Sequence, residues 1–275
     1  MHLKESILNK INSYSDPFPH WELENPLSDE LIDELQNIKI SDAPRAFDGT
    51  RAADAGGDGL DGKLRVFLEN DNFLWISDRS GFDHIYLAQN EGKNLKQITR
   101  GNWDVAKLLG KNNTTIYYSS TEDNSTERVI YSISLNGKNK KAISPKTGFN
   151  GASFTSNYKY FIHTFEDKNT PLIYSLRDSK SGKLVRKILD NSELQKKLKP
   201  FNLSNKTFSK INLNGEELNM WMIKPPNFNP QKIYPLLIYQ YSGPGSQEVE
   251  NRWNSNRDLW HQMLAQKGYI IACLD

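Results

Sequence analysis

The sequence predicts a mixed, mostly β chain of 275 residues. An α-rich N-terminal segment comes first, then the last two to three blades of a β-propeller, then the truncated start of an α/β domain. Three observations predict this. Composition steps at residue 70; short apolar strands recur with a fixed period from residue 72 onward; and the last forty residues read strand, Gly/Pro turn, helix, strand. The expected segments are 1–70, 71–191 and 192–275.

The step at residue 70 lies in charge and in aromatic content. Residues 1–70 hold 7 Lys/Arg against 14 Asp/Glu, and residues 71–275 hold 28 against 19, so a net of −7 adjoins one of +9. Only Tyr14 precedes the step, and the other eleven tyrosines follow it. In the first segment Leu3, Ile7, Leu8 and Ile11 share a helical face. Leu31, Ile32, Leu35 and Ile38 share another, behind Ser28 as N-cap. A Gly/Asp-rich loop at 54–62 closes the segment, and residues 41–62 are expected to be mobile.

From residue 72 the chain repeats. Phe73-Leu74-Trp75-Ile76, Ile116-Tyr117-Tyr118 and Tyr160-Phe161-Ile162 each open a unit. Second strands centre on Tyr86, Tyr131 and Tyr174, 45 and 43 residues apart, and third strands on Ile98, Ile143 and Ile188, each 45 apart. Gly92-Lys93, Gly137-Lys138 and Gly182-Lys183 mark the turns between second and third strands. Four-stranded units at this period are propeller blades, and two full blades and part of a third fit here. Partial arrays leave edges open, so self-association through them is expected.

A short helix follows at 192–199, with Ser192 and Gln195 spaced as a capping box. Phe208–Leu213 and Leu218–Ile223 are strands joined at Asn214-Gly215, a hairpin turn. A buried strand, Tyr234–Gln240, then runs into Tyr241-Ser242-Gly243-Pro244-Gly245-Ser246-Gln247. Leu259, Trp260, Met263 and Leu264 mark the apolar face of a helix that Gly268 ends. The last strand, Tyr269–Leu274, is apolar on both faces, which suits a central position, yet it is expected to lack flanking strands. This order is the opening of an α/β-hydrolase domain.

Residues 71–275 resemble the dipeptidyl-peptidase IV branch of the prolyl oligopeptidase family of serine peptidases. The resemblance rests on the Tyr241–Gln247 turn, on Trp260-His261-Gln262-Met263-Leu264-Ala265-Gln266-Lys267-Gly268-Tyr269, and on Asp275. Trp75–Phe82 and Thr99–Val105 add to it. It implies release of N-terminal dipeptides through an acyl-enzyme, with peptides as substrates. It also implies that Ser, Asp and His of the triad follow Asp275, and that the glutamates holding the substrate amine belong to an earlier region. Tyr241 matches the tyrosine that donates to the oxyanion hole; packing of the turn is the other reading of this residue. Residues 1–70 more weakly resemble the start of a 2-oxoglutarate/Fe(II) oxygenase. His20-Trp21-Glu22 has the short ligand spacing but no third ligand, so His20 is read as a packing or surface residue.

The remaining motifs point to little chemistry. No Gly-x-Ser-x-Gly occurs in the sequence, so the nucleophile elbow is missing. Ser246 lies in a turn with no nearby His, a poor substitute. Gly57-Asp58-Gly59-Leu60-Asp61-Gly62 precedes a strand, where a dinucleotide turn requires a helix. Asp54, Asp58 and Asp61 lack the EF-hand spacing. His84 and His163 fall in strands and read as structural, and Cys273 reads as a small buried apolar residue. Asn113 and Asn124 head glycosylation triplets, which need a secretory route, and the N-terminus has no apolar leader. The chain as written is therefore expected in the cytoplasm, without cofactor or metal, and with neither nucleic acid nor membrane as partner. Activity of the isolated chain is not expected. The alternatives are an interaction module using open propeller and sheet edges, and an enzyme with an iron centre in the N-terminal part.

Overall fold

The computed structural model describes residues 11–14, 20–23, 66–67, 72–89, 94–241 and 246–275. The chain divides into two compact units, Met1–Gly49 and Thr50–Asp275, so the expected segments 71–191 and 192–275 share one unit.

In the first unit β1 (Ile11–Tyr14) pairs antiparallel with β2 (His20–Leu23), Ile11 opposite Leu23 and Tyr14 opposite His20. Ile11 was expected on a helical face and lies in a strand instead. Pro17 and Pro19 bar the helix from continuing, and the aromatic segment behind them supplies a strand partner. The other residues of the two expected helices lie outside the described residues, as does the loop at 54–62.

The second unit begins with three antiparallel four-stranded meanders. The first holds β3 (Val66–Phe67), β4 (Phe73–Ser77), β5 (His84–Gln89) and β6 (Asn94–Gln97). In the second are β7 (Val105–Lys111), β8 (Thr115–Ser120), β9 (Val129–Ser134) and β10 (Lys141–Ala142). β11 (Phe149–Phe154), β12 (Tyr160–Asp167), β13 (Thr170–Asp178) and β14 (Leu184–Leu189) make the third. The repeat thus yields three sheets of four strands, one more complete sheet than the spacing suggested, and they do not close on themselves. Leu74, Ile76, Ile85, Leu108, Ile116 and Tyr118 form one core between the first two sheets. Tyr117, Ile130, Ile143 and Phe161 form the next, between the second and third.

The Thr99–Val105 stretch is a structural joint. Gly101 has φ +144°, and a Cβ there would lie 2.0 Å from Trp103 Nε1, so only glycine admits the indole. Trp103 meets His84 edge-on at 4.9 Å and lies parallel to Tyr118 at 6.4 Å. Asp104 Oδ1 accepts the Asp83 N–H at 2.8 Å, tying the first sheet to the second.

After the third sheet, helix α1 (Ser192–Leu198) runs into a 3₁₀ turn, Lys199–Phe201. Asn191 is the cap residue, in a left-handed conformation without a side-chain capping bond, so the expected Ser192–Gln195 box does not form. β15 (Lys206–Leu213) and β16 (Glu216–Ile223) make the expected hairpin, with Asn214 and Gly215 both at positive φ. β17 (Leu236–Tyr239), α2 (Ser255–Gln266) and β18 (Ile270–Leu274) complete a sheet of order β15-β16-β18-β17.

Two expectations about this sheet are corrected. β18 is flanked on both sides, antiparallel to β16 and parallel to β17, and its centre is buried. The hairpin supplies the neighbour that a reading limited to the βαβ order missed. β17, expected to be buried, is the edge strand, and Leu236 and Ile238 are each 56 % exposed. α2 also sits differently from its apolar pattern: it buries Asp258, His261, Gln262 and Ala265, while Trp260 and Met263 are exposed. A buried ion pair selects that face.

Candidate active-site edge

β17 and β18 run parallel through a helical crossover, so their C-terminal ends share one edge, Tyr239 opposite Cys273. In parallel α/β sheets ligands gather outside such ends. Tyr241 and Asp275 lie just beyond them, Tyr241 with 64 % of its surface exposed. Ser242–Gly245 lie outside the described residues. Ser246 Oγ donates to the Tyr241 carbonyl at 3.2 Å. That bond occupies the Ser246 hydroxyl, and no histidine contacts it among the described residues, so nothing there activates it as a nucleophile.

The chain continues as a strap, residues 246–253, that sews the sheet edge to the second and third meanders. Asp275 Oδ2 accepts the backbone N–H of Glu248 at 2.5 Å and of Val249 at 3.2 Å. Val249 is fully buried with Trp221, Ile223, Ile271 and Cys273. Gln247 accepts from Arg128 Nη2 at 2.6 Å and donates to the Ser125 carbonyl at 2.9 Å. Asn251 N–H reaches the Thr126 carbonyl at 2.7 Å.

Two ion pairs reinforce the strap. Arg128 meets Glu250 at 3.2 Å, and Arg252 meets Glu166 at 2.8 Å. Glu166 Oε2 also accepts the Trp253 N–H at 3.2 Å. Burial pushes the Glu250 carboxyl up and the Arg128 guanidinium down, and their mutual attraction offsets that only in part. The Arg128–Glu250 pair therefore fixes geometry more than it stabilises the fold, whereas Glu166 and Glu250 together outweigh the burial of Arg252 and hold its guanidinium pKa up.

Beneath the sheet, Lys206 Nζ pairs with Asp258 and donates to the Arg252 carbonyl at 3.1 Å, with the Trp221 ring 5.2 Å away. Lys206 is 2 % exposed and Asp258 4 %. This pair turns the polar side of α2 inward. His261 is buried beside it, Nδ1 3.9 Å from Asp258 Oδ1, among the Trp221, Tyr239 and Trp260 rings.

The histidines of the strands are structural, as expected. His84 bonds Thr99 Oγ1 at 3.2 Å and the Gly101 carbonyl at 2.9 Å. His163 Nδ1 accepts from Arg177 Nε at 3.1 Å, which leaves its Nε2–H to donate to Asn150 Oδ1 at 2.8 Å. Burial, with Arg177 adding, lowers the His163 pKa to about 3. Cys273 is fully buried, and burial, with Asp275 and Glu248, pushes its thiol up to about 12, which leaves it unreactive. Sequence reasoning singled out Tyr241 and Asp275 and gave no sign of Arg128, Glu166 or Lys206. Arg128 and Gln247 are 119 residues apart, and no local pattern pairs them.

Comparison with known proteins agrees with this architecture. The family model for the dipeptidyl peptidase IV (DPP IV) N-terminal region matches residues 61–172. Dipeptidyl peptidase 4 of Trichophyton rubrum is 38 % identical over 190 residues, 66 % of this chain and 24 % of that protein. The crystal structure of Porphyromonas gingivalis dipeptidyl peptidase 4 superposes with a TM-score of 0.71 at 39 % identity, covering 77 % of this chain and 30 % of that one. The chain is similar to part of the dipeptidyl peptidase IV branch. It spans about a quarter of the length of the curated relatives it matches. A putative dipeptidyl aminopeptidase IV from Bacteroides ovatus, 24 % identical with a TM-score of 0.63, shares the fold. The oxygenase likeness of residues 1–70 finds no support in these comparisons.

Proposed function

We propose that this chain is the part of a dipeptidyl-peptidase-IV-type serine peptidase that carries the late propeller blades and the front of the hydrolase sheet. Its own chemical contribution is then the Tyr241 phenol, an oxyanion-hole donor in the release of N-terminal dipeptides. The observation that carries this reading is the placement of Tyr241. It is exposed at the C-terminal end of a parallel strand, with its carbonyl bonded by Ser246 at the head of the strap that Asp275, Arg128 and Glu166 bind. The three successive meanders support the propeller assignment, since each packs on the next through a continuous apolar core. One such donor is worth about 3 kcal/mol of transition-state stabilisation once a nucleophile attacks. Alone it has no oxyanion to stabilise.

Two measurements test the reading. The 275-residue chain should not react with a fluorophosphonate probe; stoichiometric labelling lost in Ser246→Ala overturns it. In a chain that continues to a nucleophile elbow, Tyr241→Phe should lower kcat about 10²- to 10³-fold with KM nearly unchanged. An unchanged kcat would leave Tyr241 as a packing residue.

A second reading, an association module, is favoured by one observation. Edge strand β14 exposes Leu184, Val185, Ile188 and Leu189, and edge strand β17 exposes Leu236 and Ile238. Open apolar edges recruit further strands. Sedimentation at rising concentration tests it, and a monomer throughout would exclude it.

A further inference from the structure

The seam between the third meander, α1 and α2 holds an open cavity of about 420 Å³, within the range of small-molecule sites. It lies away from Tyr241, and the proposed peptidase chemistry does not use it. We propose that it is a binding site for a small organic carboxylate with an apolar body.

The charge of the lining sets the sign of the ligand. Lys168, from the β12–β13 turn, and Lys199, from the 3₁₀ turn, are the only ionisable side chains among the lining residues. Neither lysine is in an ion pair among the described residues. Of the two acids that precede Lys168 in the chain, Asp167 Oδ1 accepts the Asn169 N–H at 2.8 Å, and Glu166 is bound by Arg252 and by the Trp253 N–H. Two lysines without a counter-ion in a concave site attract an anion.

The apolar lining sets the body of the ligand. Leu203 and Trp253 line the same cavity, and they suit an aliphatic or aromatic group better than a bare inorganic anion. No arginine is present to grip a phosphate bidentately.

The walls are preformed. α2 clamps the backbone of the connecting segment, with Gln262 Oε1 accepting the Ser204 N–H at 2.8 Å and Gln262 Nε2 donating to the Ser204 carbonyl at 2.7 Å. The Lys168 N–H donates to Asn251 Oδ1 at 3.0 Å, which fixes that corner to the strap. The Ser204 hydroxyl is buried and has no partner.

The test uses the full chain labelled with 5-fluorotryptophan, with Trp253→Phe to assign the Trp253 resonance. Phenylacetate should shift that resonance saturably, with half-saturation on the order of 1 mM. The neutral isostere 2-phenylethanol should not. Lys168→Gln with Lys199→Gln should weaken phenylacetate by about tenfold or more, with the other tryptophan signals unmoved as proof of folding. No saturable shift by about 50 mM, equal binding of the alcohol, or undiminished binding in the double variant would each overturn the site. An equal response to inorganic phosphate at matched ionic strength would overturn the carboxylate class.

Discussion

Replacing Lys206 with Met removes the cation that holds α2 against the β15-β16-β18-β17 sheet. Met preserves the aliphatic length of the stem, so packing against Trp221 is largely retained. What is lost is the ion pair to Asp258 and the bond to the Arg252 carbonyl. Asp258 stays at 4 % exposure with His261 Nδ1 3.9 Å from its other oxygen and no cation beside it. Breaking a buried pair from one side costs about 3–5 kcal/mol, because the remaining charge is left desolvated. For a unit of this size that lowers Tm by about 6–20 °C. Urea and thermal unfolding followed by Trp fluorescence would read it, since Trp221 lies 5.2 Å from Lys206 Nζ. The double variant Lys206→Met, Asp258→Leu should recover most of the loss, giving a coupling energy above about 2 kcal/mol. A single variant within about 1 kcal/mol of the parent, or a double variant worse than the single, would refute the claim that this pair seats the helix.

Three further expectations follow from the same contacts. His163 has a folded pKa lowered to about 3 from 6.5, so its contribution is full above pH 6.5 and is lost as the pH falls toward 3. The loss reaches about 4–5 kcal/mol at the acid end, and a His163→Gln protein whose pH–stability curve still fell as steeply as the parent's would contradict it. Gly101→Ala forces a Cβ into the Trp103 ring at a φ of +144° and should cost about 2–4 kcal/mol; chemical denaturation giving parental stability would mean the joint is plastic. Truncation after Gly268 removes the central strand of the sheet, so it should unfold residues 206–239 and lower solubility; slower hydrogen exchange of β15 and β16 in the truncated chain would reverse that conclusion.

Two of the meanders and part of the third were legible in the sequence because apolar alternation and Gly-Lys turns repeat with the spacing that a four-stranded sheet requires. The Asn214-Gly215 hairpin was legible for a similar reason: both residues accept positive φ, and the strands beside them alternate. Such features depend on neighbours within a few residues, and local chemistry determines them. The first segment shows the limit of that logic, since Ile11 satisfied a helical period and yet pairs with Leu23 in a strand.

Tertiary structure alone decided which strand is central and which face of α2 is buried. Periodicity places Leu259, Trp260, Met263 and Leu264 on one side of the helix, but Lys206, 52 residues from Asp258, draws the opposite side inward. A sequence pattern counts apolar area and has no means of knowing that a distant cation will be buried beneath it. The site divides in the same way. Tyr241 and Asp275 could be read from their motif, whereas Arg128, Glu166 and the strap they hold arise from contacts between residues 86 to 122 positions apart. The motif supplies the Tyr241 phenol, and the packing of three sheets determines where it stands.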